Sequence, residues 1–599
     1  MDNTVLSREQ IPEQYKWKLE DIFASDKQWE DEFAALKANY AKLGEYKGRL
    51  NNKQDILAAL KLYYEFELSI TRLFVYARMR RDEDNSNPLY QAMTDRATML
   101  SVEMNTEFSF MTPEITKLSN EELEAYSIDP DLYDYRRYFI SIIRNKEHIL
   151  SDSEERLLAL MGDMADACDS IFTMLNDADM RFPVIKDADG NDVEITHGRY
   201  RALLESQDRR VRRDAFQGLY SSYKSHINTL ASIYSGSIKT DVFFSRARKY
   251  PSSLEAALHS DYVPVSVYNE LINSINRSLP VLHRYVELRK KLLGMDEMHM
   301  YDMYVPLISS VNKKISYEEA CDMIKKALAP LGAEYQALLD EAYKNNWIDV
   351  YETRGKTSGA YSWGVYGVHP YVLLNFQGEL DDMFTIAHEL GHALHSYKSN
   401  KAQPFTTAGY KILVAEVAST VNEVLLLKYL LANTDNKDEK LYLLNHFLEQ
   451  FRTTVFRQTM FAEYEKLTHE MSERSEALTH EVLSDKYMEL NRKYYGDSVV
   501  SDAEITLEWS RIPHFYRAFY VYKYATGFSS AVAIAEKILK TGQTAVDDYM
   551  KFLSAGGSMD ALDILRITGV DLTTPEPVNQ CMKLFAETLD EFERTVNEK

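Results

Sequence analysis

Apolar residues recur at spacings of three and four through most of this 599-residue chain, which is rich in Glu, Lys, Leu and Ala and holds only 15 prolines and 22 glycines. A helix presents that period along one face. Residues 27–44, 53–81, 88–109, 153–179, 208–247 and 265–293 are therefore expected to be amphipathic helices joined by short polar loops. Two stretches change period. Phe182-Pro183-Val184-Ile185, the polar turn Asp187-Ala188-Asp189-Gly190-Asn191 and Val193-Glu194-Ile195 read as a β-hairpin. A calcium-loop reading of the same turn fails, because its glycine comes too early and Gly198 stands where the closing glutamate is needed. A second β segment combines Gly359-Ala360-Tyr361-Ser362-Trp363-Gly364 with Tyr371-Val372-Leu373-Leu374-Asn375-Phe376. The expected architecture is mainly α. The hairpin is read as the join between an N-terminal helical region, 1–200, and a second region, 201–599.

Composition narrows the class. With 45% hydrophobic and 27% charged residues the chain reads as an ordinary soluble globular protein with a large core. The 69 basic and 92 acidic residues give a net charge of −23, which argues against nucleic acid or anionic membranes as partners. Cys168, Cys321 and Cys581 are odd in number and widely spaced, so neither a disulfide framework nor a cysteine metal site is supported. No apolar run approaches the roughly eighteen residues of a membrane span. The opening Met1-Asp2-Asn3-Thr4 carries no basic and apolar leader, and the expected location is a reducing cytoplasm.

The chemistry is concentrated at His388-Glu389-Leu390-Gly391-His392. Two imidazoles four residues apart on a helix share one face and can grip a single metal ion, and the glutamate beside the first is then placed at the metal's water. Asp381 and Asp382 supply acids for a first helical turn, and the body that follows is nearly uncharged, as in a helix buried under a site. The plainer reading is a surface helix with a solvated glutamate. It leaves unexplained a charged residue among apolar neighbours.

A tetrahedral site needs a third protein ligand. His395 is near in sequence but lies about 10 Å from His388 along the helix axis at 1.5 Å per residue, too far for both to reach one ion through bonds of about 2 Å. Glu416, in the apolar run Ile412-Leu413-Val414-Ala415-Glu416-Val417-Ala418, would be a buried unpaired carboxylate unless something cationic met it. Glu423 is seven residues on, two turns along the same face, and could accept a proton from the outer nitrogen of a ligand histidine. His395 could likewise support the site from behind; for both, an ordinary polar position at a helix edge is the other reading.

IAHELGHALH, LVAEVASTVNE and the downstream IPHFYRAFYVYKYATGF stand in order along the chain, together with Tyr15-Lys16-Trp17-Lys18-Leu19 near the start and SAGGSMDALDILRITGVDLTTPEP near the end. These stretches resemble the oligoendopeptidase F group of the thimet oligopeptidase-like (M3) zinc peptidases over most of the chain. The resemblance implies a large, mainly helical zincin-type fold with a small β-sheet near the HExxH helix and a deep substrate channel between two halves. It implies one zinc ion per chain held by His388, His392 and Glu416, with Glu389 as general base, and it makes 201–599 the catalytic region. It also implies that a histidine and tyrosines of the downstream segment contact substrate and stabilise the tetrahedral intermediate. His514 matches the histidine. Of Tyr516, Tyr520, Tyr522 and Tyr524, we favour Tyr520 and Tyr524, the others being read as core aromatics.

The expected reaction is hydrolysis of internal peptide bonds in short unfolded oligopeptides. Zinc polarises the scissile carbonyl and acidifies a water, and Glu389 takes the proton and passes it to the leaving amine. The β segment before the HExxH helix offers a sheet edge for an extended peptide, with Gly359, Gly364 and Gly367 allowing close backbone approach; a small structural sheet with turn glycines is the alternative. A zinc carboxypeptidase of related helical fold, a non-catalytic peptide-binding scaffold and a non-peptidase zinc hydrolase are the competing readings.

Overall fold

Helices form where the apolar period is unbroken and a capping residue stands in front of it. In Lys53–Glu83, Ile56, Ala59, Leu60, Phe66, Ile70, Leu73 and Ala77 line one buried stripe, and Asn52 caps the helix by accepting a hydrogen bond from Asp55 N at 3.0 Å. Pro88 opens Pro88–Phe108, where its missing N–H costs nothing, and Asn87 caps that turn through Leu89 N at 3.0 Å. The two helices pack together through Met93, Ala97, Leu100, Met104 and Phe108 in one core. Each large side chain buried there contributes about 1.5–3 kcal/mol. The computed structural model describes residues 5–308 and 314–598. The opening Met1-Asp2-Asn3-Thr4 lies outside them.

Two expected helices are broken. Residues 153–179 become Asp152–Leu160, Gly162–Ala165, Ala167–Thr173 and a π-helical turn Met174–Asp179, divided where Met161 and Asp166 flatten to ψ −7° and −6°. Gly162, a weak helix former, stands at the first break. Residues 208–247 become Arg209–Ser225 and Ile227–Ala247, separated by His226 at φ −116°, ψ 10°. There the Ser225 hydroxyl donates to the Ser222 carbonyl at 2.7 Å, a local side-chain bond that competes with continuation of the helix. Val265–Leu292, by contrast, runs on through Pro280.

The hairpin forms from β1, Val184–Lys186, and β2, Asp192–Glu194, antiparallel with Ile185 opposite Val193. The second sheet has three strands: β3, Ile348–Asp349, β4, Tyr361–Trp363, and β5, Tyr371–Leu373, in the order β3-β5-β4. β3 pairs parallel with β5 and β4 antiparallel. β3 is too short to leave a periodic trace in the sequence. β5, buried at all three positions, places Tyr371 and Leu373 in the same core as Trp17, Trp29 and the Lys53–Glu83 helix.

The chain forms two compact units from interleaved segments: Met1–Glu147, Lys313–Tyr429 and Ile534–Val570 in one, His148–Asn312, Leu430–Ala533 and Asp571–Lys599 in the other. This differs from a division at residue 200. The hairpin is internal to the second unit, because a Cβ at Gly218 would lie 2.6 Å from Ile195 Cδ1 and 3.0 Å from Pro183 Cγ. It is packed directly on the helix Arg209–Ser225. Among the described residues no helix is long and apolar enough to cross a membrane.

Candidate metal centre

His388, Glu389 and His392 stand on the helix Leu380–Ala402. Its first turn is tied down by Asp382, whose Oδ2 accepts from Glu379 N at 2.8 Å and Gln377 N at 2.9 Å. Met383, Phe384, Ile386, Ala387, Leu390, Ala393 and Leu394 bury the opposite face. That fixes the rotation of the helix, and the two imidazoles are left half-buried on one side, Nε2 to Nε2 3.1 Å apart.

Glu416 comes from the helix Ile412–Asn433, and a glycine sets how closely that helix approaches. A Cβ at Gly391 would lie 2.5 Å from Ser419 Cα and 2.7 Å from Ala418 O, a contact only glycine permits without backbone movement. One turn further along the crossing, buried Asn422 donates to the Ala387 carbonyl at 3.0 Å and accepts from Tyr335 OH at 2.9 Å. With the helices locked at this distance, Glu416 Oε2 is 3.5 Å from His388 Nε2 and 3.6 Å from His392 Nε2. Three ligands about 2.05 Å from a tetrahedral zinc are about 3.3 Å from one another, so the observed spacings fit a single ion. Among the described residues this is the one group of His, Cys, Asp and Glu that could hold a metal.

The electrostatics follow from burial and carboxylate placement. Glu423 Oε1 lies 2.6 Å from His388 Nδ1. Burial works against a charged imidazole, but that bond and the nearby Glu389 and Glu416 push His388 up to about 9. Burial also works to raise Glu416, and His392 and His388 outweigh it, holding its carboxyl below the usual range. Glu389, 7% exposed, goes the other way. Its burial outweighs the two histidines and raises it above the ordinary glutamate value, the direction a general base needs.

His395 is not among the grouped donors. It is buried between Tyr410, stacked at 3.8 Å, and Phe552 at 5.3 Å, and its Nδ1 has no hydrogen-bond partner. Burial, with a smaller effect of His392, drives it down to about 3, so it is a neutral ring wedged behind the helix. Of the glycines near β4, Gly359 and Gly367 have φ of 82° and 83°, whereas a Cβ at Gly364 would lie 2.5 Å from Ser396 Cβ on the helix Leu380–Ala402 itself. A cavity of about 380 Å³ lies between this sheet and the helix, lined by Gly359, Ala360, Asn375, Phe376, Thr385 and Ile386 among others.

The second unit gathers the remaining predicted residues. His514 Nε2 is 3.3 Å from Tyr524 OH, and the ring of Tyr520 lies 6.0 Å from that of His514 and 5.5 Å from that of Tyr524. Burial, then Arg517 and Arg457, lower the His514 pKa. Tyr516 instead stacks on Phe172 at 4.3 Å, and Tyr522 is fully buried against Tyr268 at 5.1 Å. Sequence reasoning missed Gly391 as a packing residue and Asn422 altogether. The signals were a glycine inside a helical pattern and an amide in a mainly apolar helix.

A profile of peptidase family M3 matches residues 202–584, and one described as oligopeptidase F matches residues 114–182. The chain is 46% identical over 593 residues to oligopeptidase PepF of Bacillus subtilis (strain 168), covering 99% of this chain and 88% of the relative. It is 38% identical over 592 residues to group B oligopeptidase PepB of Streptococcus agalactiae serotype III (strain NEM316), with 98% of each covered. The solved structure of oligoendopeptidase-F from Enterococcus faecium matches with a TM-score of 0.76 at 37% identity, covering 96% of this chain and 100% of that one.

Proposed function

Because the chain belongs to peptidase family M3, in its oligopeptidase F group, and is a metalloendopeptidase, we propose that it hydrolyses internal bonds of short unstructured oligopeptides with zinc as its metal. The observation that carries the reading is the spacing of His388, His392 and Glu416, whose three donor atoms fit one tetrahedral ion, with the buried Glu389 carboxylate on the same helix. Zinc in that position supplies Lewis acidity, polarising the scissile carbonyl and making a water acidic enough to attack at neutral pH. Glu389 takes the proton of the attacking water and returns it to the amine as the C–N bond breaks, a role its raised pKa supports. Glu423 holds the His388 ring in the orientation that turns Nε2 toward Glu416.

The position of β4 at the edge of its sheet and the cavity beside it support a site for an extended peptide backbone, with main-chain bonds that favour no particular sequence. His514, Tyr520 and Tyr524 are proposed as donors to the substrate and to the oxyanion formed during attack, and their mutual contacts support treating them as one group. The test is a digest of a mixed peptide pool that includes peptides with blocked C-termini, with and without chelator, read by mass spectrometry. Internal cuts at about five to twenty residues that vanish with chelator and return with zinc are expected, while intact casein resists. Cleavage confined to free C-termini, or unaffected by chelator, would overturn the reading.

A further inference from the structure

The segment carrying His514, Tyr520 and Tyr524 has one backbone feature that those side chains do not explain. Phe519, immediately before Tyr520, has a φ of 58°. A bulky residue in the left-handed region is strained and persists only where its surroundings hold it there. Its buried ring packs edge-on against Tyr268 at 5.8 Å and over His469 at 4.5 Å. Its N–H is held by Glu465, whose Oε1 accepts at 3.0 Å. Glu465 lies in the middle of the helix Arg457–Glu473, is 0% exposed, and its other oxygen has no hydrogen-bond partner. Burial, and to a lesser degree Asp241, raise it well above the usual carboxylate range. His469, one turn on, has Nδ1 2.8 Å from the Glu465 carbonyl and Nε2 3.1 Å from Asp241 Oδ2. A buried, half-satisfied carboxyl group where a leucine would fit costs stability and calls for a reason.

We propose that Glu465 is a positioning residue for the peptidase reaction, holding Phe519 in the left-handed turn that brings Tyr520 and Tyr524 against His514. The turn lies between the 3-10 turn Pro513–Tyr516 and the helix Tyr522–Thr541. The helix begins directly after it, with Tyr520 O accepting from Lys523 N and Val521 O from Tyr524 N, both at 3.2 Å. Without the acceptor at Phe519 N–H, the chain relaxes to negative φ and re-aims both tyrosines. The inference rests on the proposed substrate role of His514, Tyr520 and Tyr524.

Three variants of the full chain test it, with zinc content, melting temperature, kcat and KM on one oligopeptide as readouts. Glu465→Gln keeps an oxygen acceptor for the same N–H and should stay close to wild type. Glu465→Leu should bind a full equivalent of zinc yet lose at least about tenfold in kcat, as displaced catalytic groups do. Adding Phe519→Gly to Glu465→Leu should restore most of that loss, because glycine takes positive φ without strain. Normal kcat in a folded, zinc-loaded Glu465→Leu, or no recovery on adding Phe519→Gly, overturns the proposal. Should Glu465→Leu alone fail to fold, the double variant carries the test: folded and active supports the proposal, while inactive or unfolded overturns it. His514→Ala serves as the reference. If it is fully active, the substrate role of the group fails and the inference with it; if it is impaired while Glu465→Leu is not, the inference alone fails.

Discussion

The metal-ligand cluster and the His514–Tyr520–Tyr524 cluster are built by opposite means. The first is carried by two regular helices whose separation is set by a missing side chain at Gly391 and a buried amide at Asn422. The second sits on an irregular segment whose backbone is strained at Phe519 and held by a buried acid. Three ligand atoms must match bond lengths near 2 Å, and helices hold side chains to that tolerance. In the proposed role of meeting a flexible peptide, the second group would tolerate a looser frame, and turns can present several side chains from a few consecutive residues.

The largest expected effect lies in the first region. Glu389→Gln should keep its zinc, since Glu389 is not among the grouped donors, while kcat falls by about 10³-fold or more. Near-normal turnover would remove Glu389 from the mechanism. Next, Glu416→Ala is expected to emerge without zinc, whereas His395→Ala, which removes a ring stacked behind the helix, keeps nearly a full equivalent. Metal analysis of both purified proteins decides between them, and the reverse result would reassign the third ligand. In the second region, Tyr524→Phe should lower kcat by up to about a hundredfold, as loss of one oxyanion donor does, and Tyr516→Phe should leave it unchanged. Equal effects would show that the aromatic segment acts as core alone.

Smaller effects probe the support of the ligands. A metal requires neutral His388, and Glu423 helps keep that ring protonated up to about 9, so proton competition weakens as pH rises. Apparent zinc affinity should therefore climb about tenfold per pH unit from roughly 7 toward 9. Glu423→Gln removes the partner that raises the pKa, which should flatten that slope and, near pH 9, leave affinity about 10–100-fold weaker. Titration against a chromophoric chelator measures both; an unchanged slope would mean that another group holds the proton. Gly391→Ala, finally, drives a methyl into the Ser419 backbone and should cost about 1–3 kcal/mol, seen as a lower melting temperature and weaker zinc binding. A variant as stable as wild type would mean that the helices separate freely.

Much of this molecule is legible in its amino-acid order. The helical period located Lys53–Glu83 and Pro88–Phe108 to within two residues, because their apolar stripes and caps are local features. The four-residue spacing of His388 and His392 placed both on one face for the same reason, and the apolar run around Glu416 marked an acid that needed a partner. The breaks at Met161, Asp166 and His226 were not legible, since each turns on a flattened ψ in an otherwise apolar period. Nor was β3, whose two residues pair with a strand more than twenty positions away.

Tertiary structure alone decided three things. It interleaved distant segments into two units, because a buried stripe specifies that it must be covered and says nothing of which helix covers it. It set Tyr520 and Tyr524 beside His514 while stacking Tyr516 on Phe172 and Tyr522 against Tyr268, four similar residues that differ in which ring each meets. It also made Gly391, Asn422 and Glu465 consequential, since a helix crossing and a left-handed turn exist only once the neighbouring chain is in place.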